Sequence, residues 1–160
     1  MLIISDASPI IGLAICKKLD VLQSLFDDVY IPLAVYDELN VQGKPEYDAI
    51  AEWAKGKIVQ AGNVPLINAL RVNLDPGESE AIALYWEKQA DFLLIDEKRG
   101  RAIARSGGIK IVGTAGLLLL AKERGLIHAI KPSLDILIRN DFRISDLLYR
   151  QLLRKAGEDA

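Results

Sequence analysis

Short runs of apolar residues alternate along this chain with longer stretches in which apolar residues recur every three or four positions. Each short run is too brief for a typical helix and is followed by turn or capping residues, so it predicts a buried β-strand. The longer stretches predict amphipathic helices. The predicted strands are residues 2–5, 29–32, 92–95 and 110–112. The predicted helices are residues 19–26, 33–39, 47–54, 78–88, 98–106, 114–124, 133–139 and 145–155.

The order of these elements predicts an α/β fold. Strands that alternate with helices form a parallel sheet with helices on both faces. Strands buried on both faces read as continuous apolar runs, as these do. Residues 57–73 are less clear, since Ile58 and Val59 suit a short edge strand and residues 64–72 a short helix. No linker is visible, so we expect one domain over residues 1–160, with the helices at about 133–155 packed on its side or used in association.

The overall charge and the rare residue types narrow the possible chemistry. A formal net charge of -2 gives no global attraction to nucleic acid, so any nucleic-acid site must be a local basic patch. Cys16 is the only cysteine and His128 the only histidine, which excludes an internal disulfide framework and a Cys/His zinc site. No apolar stretch reaches the roughly 20 residues of a membrane span. We therefore expect a cytoplasmic protein that does not enter a membrane.

Two of the predicted strands are followed directly by an aspartate, Asp6 after the first and Asp96 after the third. In open parallel sheets, ligands bind outside the carboxyl ends of the strands. Two acids that meet there repel each other unless a cation lies between them. Each aspartate is also well placed to cap the next helix. Because the two occur together, the pattern favours a shared cation site over capping alone.

Further acids lie in two of the predicted helices. Glu38 sits beside the core-facing side of a short helix, whereas Asp37 points another way. Asp75 and Glu78 form a capping-box pattern at the start of a later helix. Glu80 lies two residues on, about 200° around the helix, so Glu78 and Glu80 cannot share one face. The capping box occupies Glu78 and so favours Glu80 as the residue that serves a site.

Hydroxyl and basic side chains accompany these acids. Ser8 and Thr114 each follow a strand and can either cap a helix or hydrogen-bond a carboxylate or phosphate, with the cap favoured for Thr114. A basic stripe follows Asp96 on one helix, and it suits either phosphate binding or an ordinary solvated helix face. Its members are Lys98, Arg101 and Arg105, with Arg99 next to them.

Taken together, these motifs resemble the PIN domain, and within it the prokaryotic VapC-like branch. The order and spacing of the motifs carry the resemblance, which covers most of the chain. The matching segments are Asp-Ala-Ser-Pro at 6–9, Val-Tyr-Asp-Glu-Leu at 35–39, Leu-Asp-Pro-Gly-Glu-Ser-Glu-Ala-Ile-Ala-Leu at 74–84, Leu-Leu-Ile-Asp-Glu at 93–97 and Ile-Val-Gly-Thr-Ala-Gly at 111–116.

The resemblance implies a three-layer α/β/α fold with a central, mostly parallel sheet of four to five strands. It implies a ribonuclease that depends on Mg²⁺ or Mn²⁺, which prefer oxygen ligands. The expected catalytic acids are Asp6, Glu38, Glu78, Glu80 and Asp96, of which Asp6, Glu38, Glu78 and Asp96 are expected to bind metal, and the expected outer residues are Ser8, Glu97 and Thr114. Family spacing favours Glu78 over Glu80. The resemblance also implies an RNA substrate bound by the basic stripe, a toxin role with a small antitoxin partner, and a homodimer.

Two other functions are weighed against this one. A PIN fold that has lost its activity serves as a binding or assembly module, but the set of acids here is intact. A receiver-like phosphotransfer domain needs two neighbouring acids at the first strand, and only Asp6 is present there.

Overall fold

The computed structural model describes residues 1–158, so the last two residues of the predicted domain lie outside the described part of the chain. The described strands are β1 (Leu2–Ser5), β2 (Asp28–Pro32), β3 (Ile58–Val59), β4 (Phe92–Leu94) and β5 (Ile111–Val112). They form one parallel sheet in the order β3-β2-β1-β4-β5. The four predicted strands are present, and Ile58 and Val59 form the edge strand that the sequence suggested.

Helices cover both faces of this sheet. They are α1 (Ala7–Ile15), α2 (Asp20–Leu25), α3 (Leu33–Leu39), α4 (Tyr47–Ala54), α5 (Val64–Leu70), α6 (Pro76–Glu87), α7 (Lys98–Ser106), α8 (Thr114–Glu123), α9 (Lys131–Arg139) and α10 (Asp146–Lys155). Helix α6 begins at Pro76, as the predicted capping box requires: Asp75 caps it, and Pro76, which has no N–H to satisfy, occupies its first turn.

The core lies in two layers, one on each face of the sheet. Ile3 and Ile4 are adjacent in β1 and both fully buried, but their side chains enter different apolar clusters because neighbouring strand residues point to opposite faces. Leu117 of α8 packs in the cluster of Ile3, and Leu84 of α6 packs in that of Ile4. Each such side chain stabilises the fold by about 1.5–3 kcal/mol. The predicted three-layer α/β/α fold is confirmed.

The register of the central strands sets the position of the candidate site. Ser5 of β1 pairs with Leu94 of β4, so the chain leaves both strands at the same edge of the sheet. The backbone N–H of Asp6 donates to the carbonyl of Leu94 at 2.9 Å, and that of Ile95 donates to Val112 at 3.0 Å. The residues that follow β1, β4 and β5 therefore gather at the carboxyl edge of the sheet.

The two C-terminal helices bury some of their apolar residues and expose others. Leu134, Leu137 and Leu152 are buried in the core, whereas Ile138 and Leu148 are 42% and 40% exposed. Among the described helices, none combines the length and the apolar character that a membrane crossing requires.

Candidate metal centre and adjoining cleft

Asp6 is buried at the carboxyl edge of the sheet without a partner for one of its oxygens. The residue is 3% exposed, and no hydrogen-bond donor in the described chain reaches its Oδ1 atom. It occupies the N-cap position of α1, yet its side chain makes no capping hydrogen bond, so capping does not explain it. Burial raises its pKa to about 8, and the carboxylates of Asp75, Glu78 and Glu38 add to the rise. A cation at this point would compensate the buried charge.

Two further carboxylates lie beside Asp6. Asp6, Glu38 and Asp75 each offer an oxygen atom, and these oxygens lie within 4.8 Å of one another. Glu38 projects from α3, and Asp75 stands at the start of α6. Burial raises the pKa of Glu38, and the carboxylates of Asp75 and Glu97 raise it further. The ion pairs found in residues 1–158 include none of these three acids. The donor set, three carboxylates without a neighbouring ammonium or guanidinium partner, fits a hard divalent cation.

Gly77 allows α6 to approach this cluster closely. A Cβ atom at Gly77 would lie 3.2 Å from Glu38 Oε2 and 3.4 Å from Asp6 Oδ1. A side chain there would be in tight contact with Glu38 and in ordinary contact with Asp6, so the glycine leaves room beside these two carboxylates.

The sequence predicted Asp75 only as a helix cap, but in the structure its carboxylate also lies beside those of Asp6 and Glu38. The predicted capping box is present, since Glu78 N donates to Asp75 Oδ1 at 2.7 Å and Asp75 N donates to Glu78 Oε2 at 3.1 Å. The same residue also belongs to the acid cluster, which the sequence reasoning missed. The nearby Gly77 was the available signal, because a glycine in the first turn of a helix permits close approach by another group.

Glu78 and Glu80 lie near the cluster but outside the set of three close oxygens. Glu78 is 6% exposed, and burial raises its pKa although the backbone N–H of Asp75 opposes this. Glu80 Oε1 accepts a hydrogen bond from Ala34 N at 3.3 Å. Glu80 therefore binds the first turn of α3, the helix that carries Glu38.

Asp96 lies outside the set of three close oxygens and is hydrogen-bonded by Thr114. Thr114 N donates to Asp96 Oδ1 at 2.8 Å, and Thr114 Oγ1 donates to Asp96 Oδ2 at 2.6 Å. The prediction that favoured Thr114 as a helix cap is wrong, because Gly113 is the N-cap of α8. The hydroxyl of Thr114 instead donates to the Asp96 carboxylate. The reason is the pairing of β5 with β4, which brings the start of α8 beside the end of β4.

The basic residues after Asp96 do not all face solvent. Lys98 and Arg105 are exposed, whereas Arg101 is half-buried and its Nη1 donates to the carbonyl of Ile95 at 2.8 Å. Arg99 is exposed, and its Nη1 donates to the carbonyl of Asn73 at 3.2 Å. The predicted stripe is therefore interrupted at Arg101, because that side chain bonds to the end of β4.

A cleft of about 1060 Å³ adjoins Asp96. One side of it comes from the end of β4, α7 and the starts of α1 and α8, and the other comes from α9, α10 and their connection. The first side includes Ser8, Asp96, Glu97, Lys98, Arg101 and Thr114, and the other side includes Leu137, Phe142, Arg143, Ile144 and Leu148. The predicted outer residues Ser8, Glu97 and Thr114 thus line this cleft, and the charge of Glu97 also raises the pKa of Glu38.

Comparison with known proteins agrees with this arrangement. A family model described as the PIN domain matches residues 2–158. No curated protein matches the chain. PIN domains are generally metal-dependent nucleases that act on RNA. Since the family model covers nearly the whole sequence, the chain belongs to the PIN-domain family.

Proposed function

We propose that this chain is a ribonuclease that depends on Mg²⁺ or Mn²⁺ and cuts single-stranded or structured RNA. The observation that carries the proposal is the buried Oδ1 atom of Asp6, which has no donor in the described chain and is surrounded by other acids. Burying the charged form of Asp6 beside other acids is costly, and a bound cation would offset that cost.

The acids expected from the sequence have different tasks in this proposal. Asp6 and Glu38 hold the metal directly, since their oxygens lie close together. Glu78 and Asp96 complete the acidic environment, and Glu80 fixes the helix of Glu38 through Ala34. A bound divalent cation supplies Lewis acidity, which stabilises charge on the scissile phosphate and lowers the pKa of water. No histidine base is needed, which suits a chain whose single histidine, His128, does not line the cleft.

The cleft beside Asp96 is the proposed path of the RNA strand. Thr114 fixes the Asp96 carboxylate with two hydrogen bonds at its edge, where Asp96 can orient a water molecule or the substrate. Lys98 and Arg105 are exposed and available to phosphates, and Arg99 adds positive charge next to them. Arg101 lines the cleft while it bonds to Ile95, so it supplies charge from a fixed position. Such contacts make binding sensitive to salt.

The biological role that we propose is that of a toxin of the VapC-like branch, a cytoplasmic, single-domain protein neutralised by a small antitoxin. We also propose a homodimer. Apolar side chains exposed on the C-terminal helices support an association surface, with Ile138, Leu147 and Leu148 exposed by 42%, 64% and 40%. The mass measured by light scattering after gel filtration tests the dimer, and a mass equal to one chain would contradict it.

Cleavage of a mixed pool of single-stranded RNA tests the proposed activity. The wild type is incubated with Mg²⁺, with Mn²⁺ or with EDTA, beside Asp6→Asn and Asp96→Asn. Asp37→Asn is the matched control, because Asp37 is exposed on the same helix as Glu38 and lies outside the cluster. We expect metal-dependent cutting by the wild type and the control, and none by the two site variants.

Two results would contradict the proposed ribonuclease activity. A folded wild type that neither cuts RNA nor binds metal in calorimetry would be a binding or assembly module. A wild type that binds metal but cuts single-stranded DNA instead of RNA would be a nuclease of a different substrate class.

A further inference from the structure

We propose that Asp75, the residue that caps α6, is also a direct ligand of the catalytic metal, and that Glu78 positions Asp75 instead of binding the metal itself. This inference rests on the proposed metal-dependent nuclease and names one ligand of its site. It departs from the ligand set that the family resemblance implied, in which the third acid is Glu78.

The distances distinguish Asp75 from the other acids nearby. Only Asp75 joins Asp6 and Glu38 in a set whose carboxylate oxygens all lie within 4.8 Å, as far as residues 1–158 show. Asp96 is bound by Thr114 through both of its oxygens. Glu80 is bonded to Ala34 at the start of α3. The acid that completes the set is therefore the helix cap.

A second observation, an unpaired oxygen atom of Asp6, supports a cation bound by these three carboxylates. Asp6 is 3% exposed, and its Oδ1 atom lacks a hydrogen-bond donor. That atom faces the cluster, since Asp6 Oδ1 and Glu38 Oε2 both approach the position of a Cβ at Gly77, at 3.4 Å and 3.2 Å. Gly77 stands two residues after Asp75, so the missing side chain lets the capping turn reach both carboxylates.

The capping box holds the Asp75 carboxylate in place for this role. Its Oδ1 atom accepts from Glu78 N at 2.7 Å, and a carboxylate keeps a second oxygen and further lone pairs for a cation. The backbone on either side is fixed as well, since Asp75 N donates to Glu78 Oε2 and Ser79 Oγ donates to the Asp75 carbonyl at 2.8 Å. A ligand held in this way loses little conformational freedom when metal binds.

Glu78 supports Asp75 through the same pair of hydrogen bonds. One of its oxygens is committed to Asp75 N, and its buried side chain packs against Gly100 of α7, where a Cβ would lie 3.4 Å from Glu78 Oε1. Its contact with the ligand residue is thus through the backbone, which is the pattern of a residue that orients a ligand.

Two charge-neutralising substitutions separate the ligand from the positioning residue. Asparagine is as good an N-cap as aspartate, so Asp75→Asn retains the bond from Glu78 N. Glutamine serves as well as glutamate at the third position of a capping box, so Glu78→Gln retains the reciprocal bond. Both variants remove one negative charge near the site, and long-range electrostatics therefore weakens metal binding in both. Direct ligation is lost only in one of them.

The measurement is Mn²⁺ affinity by isothermal titration calorimetry, with the rise in melting temperature on adding Mn²⁺ as a second readout. We expect Asp75→Asn to bind Mn²⁺ at least about tenfold more weakly than Glu78→Gln, because loss of a direct ligand should cost at least the tenfold that removal of an outer partner costs. We also expect the melting temperatures of the two variants in EDTA to be similar, which shows that the cap is intact.

The alternative outcomes are distinct. Equal losses in the two variants, or a larger loss in Glu78→Gln, would overturn the assignment of Asp75 while leaving a metal-dependent nuclease in place. A folded wild type that gives no Mn²⁺ binding signal would overturn the metal centre itself, and the assignment of Asp75 with it.

Discussion

Replacing Asp6 by asparagine should change how the stability of the metal-free protein depends on pH. Asparagine has the same shape as aspartate and no charge. Burial and the neighbouring acids raise the pKa of Asp6 from its ordinary value of 3.8 to about 8 in the folded protein. Between these two pH values the folded chain holds a proton that the unfolded chain has released.

The sign and the size of the effect follow from this difference. A group whose pKa is raised on folding contributes stability below its unfolded pKa, and this stability is lost as pH rises through the folded pKa. The wild type without metal should therefore become less stable from about pH 4 to pH 8. A rise from 3.8 to about 8 corresponds to an upper limit of about 6 kcal/mol. Relaxation of the side chain and entry of water reduce this, so we expect a loss of a few kcal/mol.

Urea unfolding followed by circular dichroism, in EDTA at pH 5 and at pH 9, measures the effect. Asp6→Asn should be more stable than the wild type by at most about 1.6 kcal/mol at pH 5 and by clearly more at pH 9, because the wild type loses stability from its unfolded pKa of 3.8 upward. Glu38 and Glu78, whose pKa values are also raised, leave a smaller slope in the variant. Added Mn²⁺ should restore the wild type at pH 9 and not the variant, because a ligand that binds only the folded state stabilises it. Parallel pH profiles for the two proteins would refute the reasoning.

Three further changes test other parts of the site. Thr114→Val removes the hydrogen bond from the hydroxyl to Asp96 and should lower the free energy of unfolding, measured in urea, by about 1.5–3 kcal/mol, the contribution of a hydrogen bond to a charged group. Thr114→Ser should recover most of this loss. If it does not, the loss comes from packing and not from the hydrogen bond. Gly77→Ala should weaken Mn²⁺ binding in calorimetry by pressing on the Glu38 carboxylate, although alanine favours helices. Unchanged affinity would show that the space beside Gly77 is not used. Lys98→Ala should weaken RNA binding for all sequences and reduce the slope of log affinity against log salt by about 1 in fluorescence anisotropy, and an unchanged slope would remove Lys98 from the phosphate contacts.

The sheet and the meeting of strand ends could be predicted because they depend on local patterns. Apolar runs predicted the strands, and a parallel sheet places strand ends at one edge, so the ends of β1 and β4 were expected to lie together. The capping box was predicted for the same reason, since all of its bonds join residues within one turn of α6.

The position of Asp75 beside Asp6 and Glu38 could not be predicted from the sequence, because it depends on how α3 and α6 pack against each other. The local pattern already gave that residue a sufficient role as a cap. The bond between Thr114 and Asp96 was missed for a related reason, because Asp96 lies at the end of the neighbouring strand. The bond from Arg101 to the carbonyl of Ile95 is likewise not visible in the sequence. Side-chain bonds of this kind are set by tertiary structure, which propensity does not describe.

The most direct test of the metal centre is the location of Mn²⁺ by anomalous diffraction at the manganese edge, on crystals of the wild type grown with Mn²⁺. The account predicts a peak bound by the carboxylates of Asp6, Glu38 and Asp75. A peak held by Asp96 without Asp6, or none at the acid cluster in well-ordered crystals, would contradict it.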